Sequence, residues 1–268
     1  MLEPLKLTVI GAGNLAHHLV PALHNIGYKI SQVWSRTLIN ANALAHKVNA
    51  VAIDNLEMIE SDSSLYLILV KDDALSSVCK ALPPLNPDAI IAHSSGAGSI
   101  AVLEHLTDHW GCFYPLQSFR KNQASRLSEV PFLVNGNDEH TIRELRILAR
   151  QLSTRVSNCH DEDRLRYHLS AVFINNFTNH LACLAKDFLQ ANDLDPQYLD
   201  TISRTTFDKI INHDPCESQT GPAIRKDLDL ISRHLKLLEG RTSMQDVYRM
   251  LSDNIINTYH NSEDENSQ

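Results

Sequence analysis

Short apolar runs and amphipathic segments alternate along the first half of the chain. The runs have strand length and many β-branched residues, whereas the segments between them carry apolar residues every three or four positions, which is typical of helices. The predicted strands are Lys6–Ile10, Lys29–Trp34, Ala50–Ile53, Leu65–Val70, Ala89–His93, Gly111–Tyr114 and Pro131–Val134. The predicted helices between them are Asn14–Ile26, Ile39–Val48 and Ala74–Leu82. This alternation predicts an α/β fold with a mostly parallel, doubly wound sheet.

The strand pattern stops near residue 158, and only helical periodicity follows it. The predicted helices of the second half are Arg164–Asn192, Pro196–Ile211, Ala223–Leu238 and Met244–Tyr259. We therefore predict an α/β domain over residues 1–158 and an all-α domain over residues 159–260. The polar and acidic residues 261–268 predict a disordered tail.

A glycine-rich turn joins the first predicted strand to the first predicted helix. Gly11 permits a sharp turn, Gly13 lets the backbone approach a pyrophosphate, and Ala16 allows the helix to pack closely on the strand. The helix N-terminus adds N–H donors for phosphates. The turn predicts a Rossmann-type NAD(P)-binding domain in which Gly11, Gly13, Asn14 and Leu15 contact the cofactor. The alternative is a glycine turn that binds nothing.

The end of the second predicted strand indicates which cofactor binds. NAD-binding sites carry an acidic residue near this point for the ribose hydroxyls, whereas here Ser35, Arg36 and Thr37 follow the strand. A guanidinium can pair with a 2′-phosphate, and both hydroxyls can hydrogen-bond it. These residues predict NADP rather than NAD; the alternative is that Arg36 is an ordinary surface cation.

Two further predicted strands end in polar residues at the carboxyl edge of the sheet, where open α/β sheets bind ligands. One ends at Val70 and Lys71, and the other continues through His93, Ser94 and Ser95. We predict that all five contact the cofactor, with His93 and Ser94 beside the nicotinamide. Helix capping and turn formation are the competing explanations for such residues.

The long helix predicted from residue 164 carries an unusual polar stripe. At 100° per residue His168, Asn175 and Asn179 fall on one face of an otherwise apolar segment. Buried without partners, each would cost about 1–3 kcal/mol. A cleft that holds substrate would satisfy them, and so would a buried network between helices. On the first interpretation these three residues are catalytic: His168 exchanges a proton near neutral pH, while the two asparagines orient or polarise the substrate.

Two more polar clusters stand beside predicted elements. Residues 114–119 (Tyr-Pro-Leu-Gln-Ser-Phe) follow a strand, and residues 219–223 (Gln-Thr-Gly-Pro-Ala) precede a helix. Both can line a ligand site. The glycine and proline of the second cluster also suit a purely structural helix entry.

Composition narrows the function classes. The net charge of −8 disfavours nucleic acid as a partner, since phosphate contacts need a basic surface. The five cysteines are scattered, which predicts reduced thiols in the cytoplasm rather than a disulfide framework or a metal site. No apolar run reaches membrane-spanning length, and we identify no signal peptide, so a membrane partner is not expected.

The motifs at Gly11, Ser35, His93, residues 113–117, residues 176–180 and residues 219–223 together resemble a family of two-domain bacterial proteins. These have a Rossmann-like N-terminal domain and a helical C-terminal domain of unassigned function. More distantly, the first half is similar to pyrroline-5-carboxylate reductase, deazaflavin-dependent NADP reductase and 6-phosphogluconate dehydrogenase relatives. The resemblance implies NADP binding, a helical C-terminal domain of the 6-phosphogluconate dehydrogenase type that forms a homodimer, and an active site in the interdomain cleft.

One departure limits what the resemblance carries over. The related 3-hydroxyacid dehydrogenases have a lysine followed four residues later by asparagine on the long helix, and this chain has no such pair.

We expect an NADP(H)-dependent oxidoreductase that transfers hydride to or from a small carbonyl, imine or alcohol. The alternative is a non-catalytic NADP(H)-binding sensor or dimeric interaction protein.

Overall fold

The computed structural model describes residues 5–260, so the tail predicted over 261–268 lies outside the described residues. Eight strands form one sheet in the order β3-β2-β1-β4-β5-β6-β7-β8. Their bounds are β1 Lys6–Ile10, β2 Lys29–Trp34, β3 Val51–Ile53, β4 Leu65–Ile68, β5 Ile90–His93, β6 His109–Pro115, β7 Phe132–Gly136 and β8 Val156–Asn158. All neighbouring strands are parallel except β6 and β7, which pair antiparallel. The predicted mostly parallel sheet is confirmed.

Helices follow the strands and then continue alone. They are α1 Ala16–Asn25, α2 Leu38–Ala45, α3 Asp72–Lys80, α4 Glu139–Leu152, α5 Asp161–Ala171, α6 Thr178–Gln190, α7 Asp200–Asn212, α8 Leu228–Leu237 and α9 Thr242–His260. A π-helix, Val172–Phe177, lies between α5 and α6. The predicted helices are confirmed in type and approximate position, while α4 and β8 were not predicted.

The core fills both faces of the sheet because successive strand residues point to opposite sides. Leu65 and Leu67 of β4 pack with α1, α2 and α4 on one face. Tyr66 and Ile68 pack with α3 on the other. This two-sided burial explains why β4 reads as a continuous apolar run rather than an alternating one.

The chain divides into two compact units, one ending at Phe177 and the other beginning at Thr178. The first therefore contains the whole sheet together with α5 and the π-helix. In the second unit, α8 and α9 are joined by hydrogen bonds between His234 Nδ1 and Tyr248 Oη, at 2.8 Å, and from Gln245 Nε2 to the Leu235 carbonyl. Whether the functional division lies near residue 158 stays a prediction.

Candidate functional site: a cationic cleft at the glycine turn

The glycine turn is held directly against the end of β4. Gly11 has a φ of +123°, and a Cβ there would lie 2.4 Å from the Leu69 carbonyl oxygen. The Gly11 amide donates to the Trp34 carbonyl at 2.8 Å. Gly13, by contrast, is exposed, and an added Cβ would come no closer than 3.8 Å to that same Leu69 oxygen. The first glycine therefore serves the turn, while the second presents bare backbone to the space in front of it.

That space is a cleft of about 430 Å³ at the carboxyl edge of β1, β2 and β4. Eight of the predicted cofactor residues line it: Gly11, Gly13, Asn14, Leu15, Ser35, Arg36, Val70 and Lys71. Lys121, from the loop after β6, lines it as well. Three cations thus face one cleft, and none of the described residues lining it is acidic, so the cleft suits a polyanion.

The N-terminus of α1 opens onto the same region. No side chain caps this helix and its first turn has no acidic residue, so the positive end of the helix dipole is uncompensated within it. Burial, together with the charges of Lys121 and Lys47, lowers the pKa of His17 in this first turn to about 4. Burial is the larger cause of this shift, and the two lysines add positive charge near the start of α1.

Thr37 is the one predicted 2′-phosphate ligand that does not line the cleft. Its Oγ1 accepts a hydrogen bond of 2.7 Å from Asn40 Nδ2 at the start of α2. Arg36 is exposed, and Asn40 itself lines the cleft. The geometry therefore brings Ser35 and Arg36 to the cleft and gives Thr37 a local role.

The predicted nicotinamide segment after β5 lies outside the lining of this cleft. His93 is fully buried, and its Nδ1 accepts from the Ser95 amide at 3.1 Å. Burial and the nearby guanidinium of Arg164 lower the pKa of His93 to about 4, so its imidazole is neutral at ordinary pH. Ser94 donates to the Phe113 carbonyl, and Ser95 Oγ accepts from the Ala97 and Gly98 amides.

Arg164 of α5 holds this segment in place, although no sequence motif marks it as functional. Its guanidinium is 1% exposed and donates to the Ser95 and Gly98 carbonyls. It also pairs with Asp161 at 2.8 Å, and the second oxygen of that carboxylate accepts from the Ile100 amide. A buried arginine is costly without such partners, and here its hydrogen bonds join α5 to the segment after β5.

His168, one turn further along α5, reaches the same segment. Its Nδ1 lies 3.1 Å from Tyr114 Oη at the end of β6. A Cβ added to Gly96 would lie 2.5 Å from that nitrogen, so imidazole and glycine are in direct contact. The structure thus brings the predicted proton-transfer residue against the predicted nicotinamide segment, with Tyr114 between strand and helix.

The asparagine stripe is interrupted by the π-helix. Asn175 lies inside it and donates to Asn176 at 3.0 Å, whereas Asn179 belongs to α6 in the second unit. A π-helix closes its hydrogen bonds over five residues, so the uniform spacing of 100° used to align His168, Asn175 and Asn179 does not hold across it. Both predicted asparagines are exposed, which differs from the buried network considered as an alternative.

Several lining residues carry no sequence signal of their own. Lys121 lies in an irregular loop, and only the folded chain shows that it lines the same cleft as Arg36. Among residues 5–260 no group of histidine, cysteine and carboxylate side chains is arranged to hold a metal ion. No helix in the same range is both long and apolar enough to cross a bilayer.

Comparison with known proteins supplies independent observations. Residues 6–95 match the family described as NADP oxidoreductase, coenzyme F420-dependent, and residues 130–255 match a domain of unknown function, DUF2520. A proposed NADP oxidoreductase from Bacteroides fragilis is 34% identical, with a TM-score of 0.87; the alignment covers 96% of this chain and 99% of that one. No curated protein matches the chain.

More distant solved structures share the fold. An imine reductase from Myxococcus stipitatus, in complex with NADP+, is 16% identical with a TM-score of 0.63, over 97% of this chain and 94% of the reductase. A pyrroline-5-carboxylate reductase from Coxiella burnetii is 14% identical with a TM-score of 0.52, over 94% and 96%. The predicted family resemblance and the Rossmann-type fold with a helical C-terminal region are confirmed.

Proposed function

Because the chain belongs to the family of NADP oxidoreductases represented by the Bacteroides fragilis protein, we propose that it binds NADP(H) and transfers hydride to or from a small carbonyl, imine or alcohol. The cationic cleft in front of Gly13 carries this proposal. The imine reductase and pyrroline-5-carboxylate reductase of similar fold favour imines and small carbonyls as the first substrates to test.

Different residues of the cleft are proposed to bind different parts of the cofactor. The exposed backbone at Gly13 and the uncapped α1 N-terminus receive the pyrophosphate. Arg36 pairs with the 2′-phosphate, with Ser35 as a hydrogen-bonding partner, while Lys71 and Lys121 add positive charge to the same cleft. When bound, NADPH supplies the hydride.

Proton transfer falls to the cluster around His168. The imidazole lies against Gly96 and Tyr114, so it is fixed beside the segment proposed to meet the nicotinamide. His168 gives or takes the substrate proton, and Asn175 and Asn179 are retained as groups that orient the substrate. The buried, neutral His93 supports the backbone of the segment after β5 rather than exchanging protons itself.

A titration with NADPH and NADH tests the cofactor assignment. We expect wild-type protein to bind NADPH at micromolar concentration and NADH more weakly, and Arg36→Ala to weaken NADPH binding by about tenfold or more, because a charged pair contributes about 1.5–3 kcal/mol. Arg143→Ala on α4 removes another exposed arginine and serves as the matched control.

Binding and turnover separate the outcomes. An Arg36→Ala affinity equal to wild type contradicts the 2′-phosphate assignment, and no binding of either nucleotide overturns the proposed function. If the protein binds NADPH tightly but does not oxidise it with any imine or carbonyl in a screen, the non-catalytic sensor is favoured.

The chain is also proposed to form a homodimer through its helical half. Four large apolar side chains along α5 and the π-helix are each at least half exposed: Leu169, Phe173, Ile174 and Phe177. So many exposed apolar side chains close together are unusual and indicate an interaction surface. A second copy of the chain would cover them.

A further inference from the structure

The Tyr114 hydroxyl and the His168 imidazole form an isolated pair at the end of β6. Tyr114 Oη and His168 Nδ1 are 3.1 Å apart, and the two rings meet edge to face, with centroids 6.3 Å apart and planes inclined at 68°. Among the described residues neither Tyr114 Oη nor His168 has another side-chain hydrogen bond. The roles of donor and acceptor within this pair therefore decide where the imidazole proton resides.

Tyr114 keeps its proton at every working pH. Burial, followed by the negative charge of Asp72, raises the pKa of Tyr114 to about 12. A partly buried O–H needs an acceptor, and His168 Nδ1 is the one that the described residues supply. With Nδ1 accepting, a neutral imidazole must carry its proton on Nε2.

The pair cannot easily rearrange. Gly96 lies against both rings: an added Cβ would sit 2.5 Å from His168 Nδ1 and 3.0 Å from Tyr114 Cζ. The segment containing Gly96 is held on both sides by Arg164, through the Ser95 and Gly98 carbonyls. The imidazole is therefore packed against the backbone of Gly96, which has no side chain that could move aside.

We propose that Tyr114 is a positioning residue that holds His168 in the tautomer with the proton on Nε2, so that His168 faces its substrate as a hydrogen-bond donor. The tautomer is a property of the protein alone, whereas its use in catalysis rests on the proposed function. With its proton on Nε2, His168 can donate a hydrogen bond to a carbonyl oxygen or imine nitrogen of the substrate, but not to a cationic group.

Solvent supplies the one proton that a reduction consumes. When bound, NADPH would supply a hydride to the substrate carbon, while the π electrons of the double bond move to its oxygen or nitrogen. That atom would take the Nε2 proton of His168, and a proton from water would replace it at Nε2, while Tyr114 keeps its own hydroxyl proton. Substrate, NADPH and one solvent proton would thus give NADP+ and the alcohol or amine, with His168 returned to its starting tautomer.

Nitrogen NMR of the full-length protein, labelled with ¹⁵N at histidine, tests the tautomer without any substrate. The His168 signals are identified by their loss in His168→Gln. At about pH 8 we expect a protonated Nε2 and an unprotonated Nδ1. In Tyr114→Phe the two signals should move towards each other as the tautomers mix. Tyr167→Phe, one residue before His168 and exposed, is the control that should change neither signal.

A protonated Nδ1 in wild type, or an unchanged spectrum in Tyr114→Phe, overturns the inference. The kinetic arm uses whichever imine or carbonyl the protein reduces: Tyr114→Phe should lower kcat about tenfold or more while leaving the NADPH Kd within about twofold. Unchanged kcat in the variant contradicts the catalytic use of the pair. Absence of turnover in wild type contradicts the proposed function instead, and the NMR result still decides the tautomer.

Discussion

Gly11 and Gly13 lie two positions apart in one turn, yet the structure gives them different tasks. Gly11 occupies a backbone region that L side chains rarely adopt and has no room for a Cβ, whereas Gly13 has ordinary dihedrals and open space. The sequence motif predicts that both glycines are needed. Their surroundings in the folded chain show that Gly11 is needed for the turn, whereas Gly13 leaves room for a ligand to approach the backbone.

We therefore expect opposite results from two alanine substitutions. Gly11→Ala should lower the free energy of unfolding by about 2 kcal/mol or more, through backbone strain and collision with the Leu69 carbonyl. Gly13→Ala should leave stability within about 0.5 kcal/mol of wild type and weaken NADPH binding. Urea unfolding and a nucleotide titration on both proteins measure this. Equal losses of stability would contradict the division of roles.

The chemistry at residue scale was partly predictable. Ser35, Arg36 and Lys71 could be placed at the cleft because they lie one to three residues after the end of a recognisable strand. Lys121 and Arg164 could not: one lies in an irregular loop, and the other acts through backbone carbonyls that are distant in sequence. Tyr114 stood out as part of a polar cluster, but its partner His168 is 54 residues away.

At the scale of elements, strands buried on both faces were the most predictable. β1 and β2 have the predicted bounds because glycine or polar residues limit each apolar run. The three-residue β8 is too short to carry a pattern. The helix α4, which was not predicted, is amphipathic and begins after a capping residue, Asp138, so its sequence does carry a helix signal. The π-helix could not be predicted from a pattern of 3.6 residues per turn, because its hydrogen bonds close over five residues.

The first turn of α5 adds an acid-sensitive contact. Burial alone would raise the pKa of Asp161, but hydrogen bonds from Ser99, the Ile100 amide and Arg164 outweigh it and hold the pKa below its ordinary value. A carboxylate with a lowered pKa contributes stability above its unfolded pKa, near 4, and loses it as the pH falls through the folded value.

Asp161→Asn should therefore destabilise the protein at neutral pH, and the gap from wild type should narrow as the pH falls below about 4. Urea unfolding at a series of pH values measures the gap. Asp163→Asn, in the same turn but in an exposed pair with Arg166, should show a small gap throughout. A gap for Asp161→Asn that is constant with pH would contradict the role of its charge.

At the scale of the whole molecule, the exposed apolar face of α5 and the π-helix bears on assembly. If a second copy covers it, Ile174→Glu should convert a dimer into a monomer, because the charge would be buried at the interface. Light scattering after size-exclusion chromatography measures the mass. Ile39→Glu, which alters an isoleucine that is 82% exposed on α2, should leave the mass unchanged. A wild-type monomer, or an Ile174→Glu dimer, would contradict the proposal.

The cationic cleft sits in a protein whose net charge is −8, and this opposition has a kinetic consequence. Distant negative charges repel an incoming polyanion, whereas Arg36, Lys71 and Lys121 attract it over the last few ångströms, where a concave surface focuses the field. Added salt screens both effects. If the cleft dominates the encounter, stopped-flow association of NADPH should slow as ionic strength rises; if the overall charge dominates, it should accelerate. The direction in which the association rate changes with ionic strength would show whether the three cations of the cleft outweigh the negative charge of the rest of the chain.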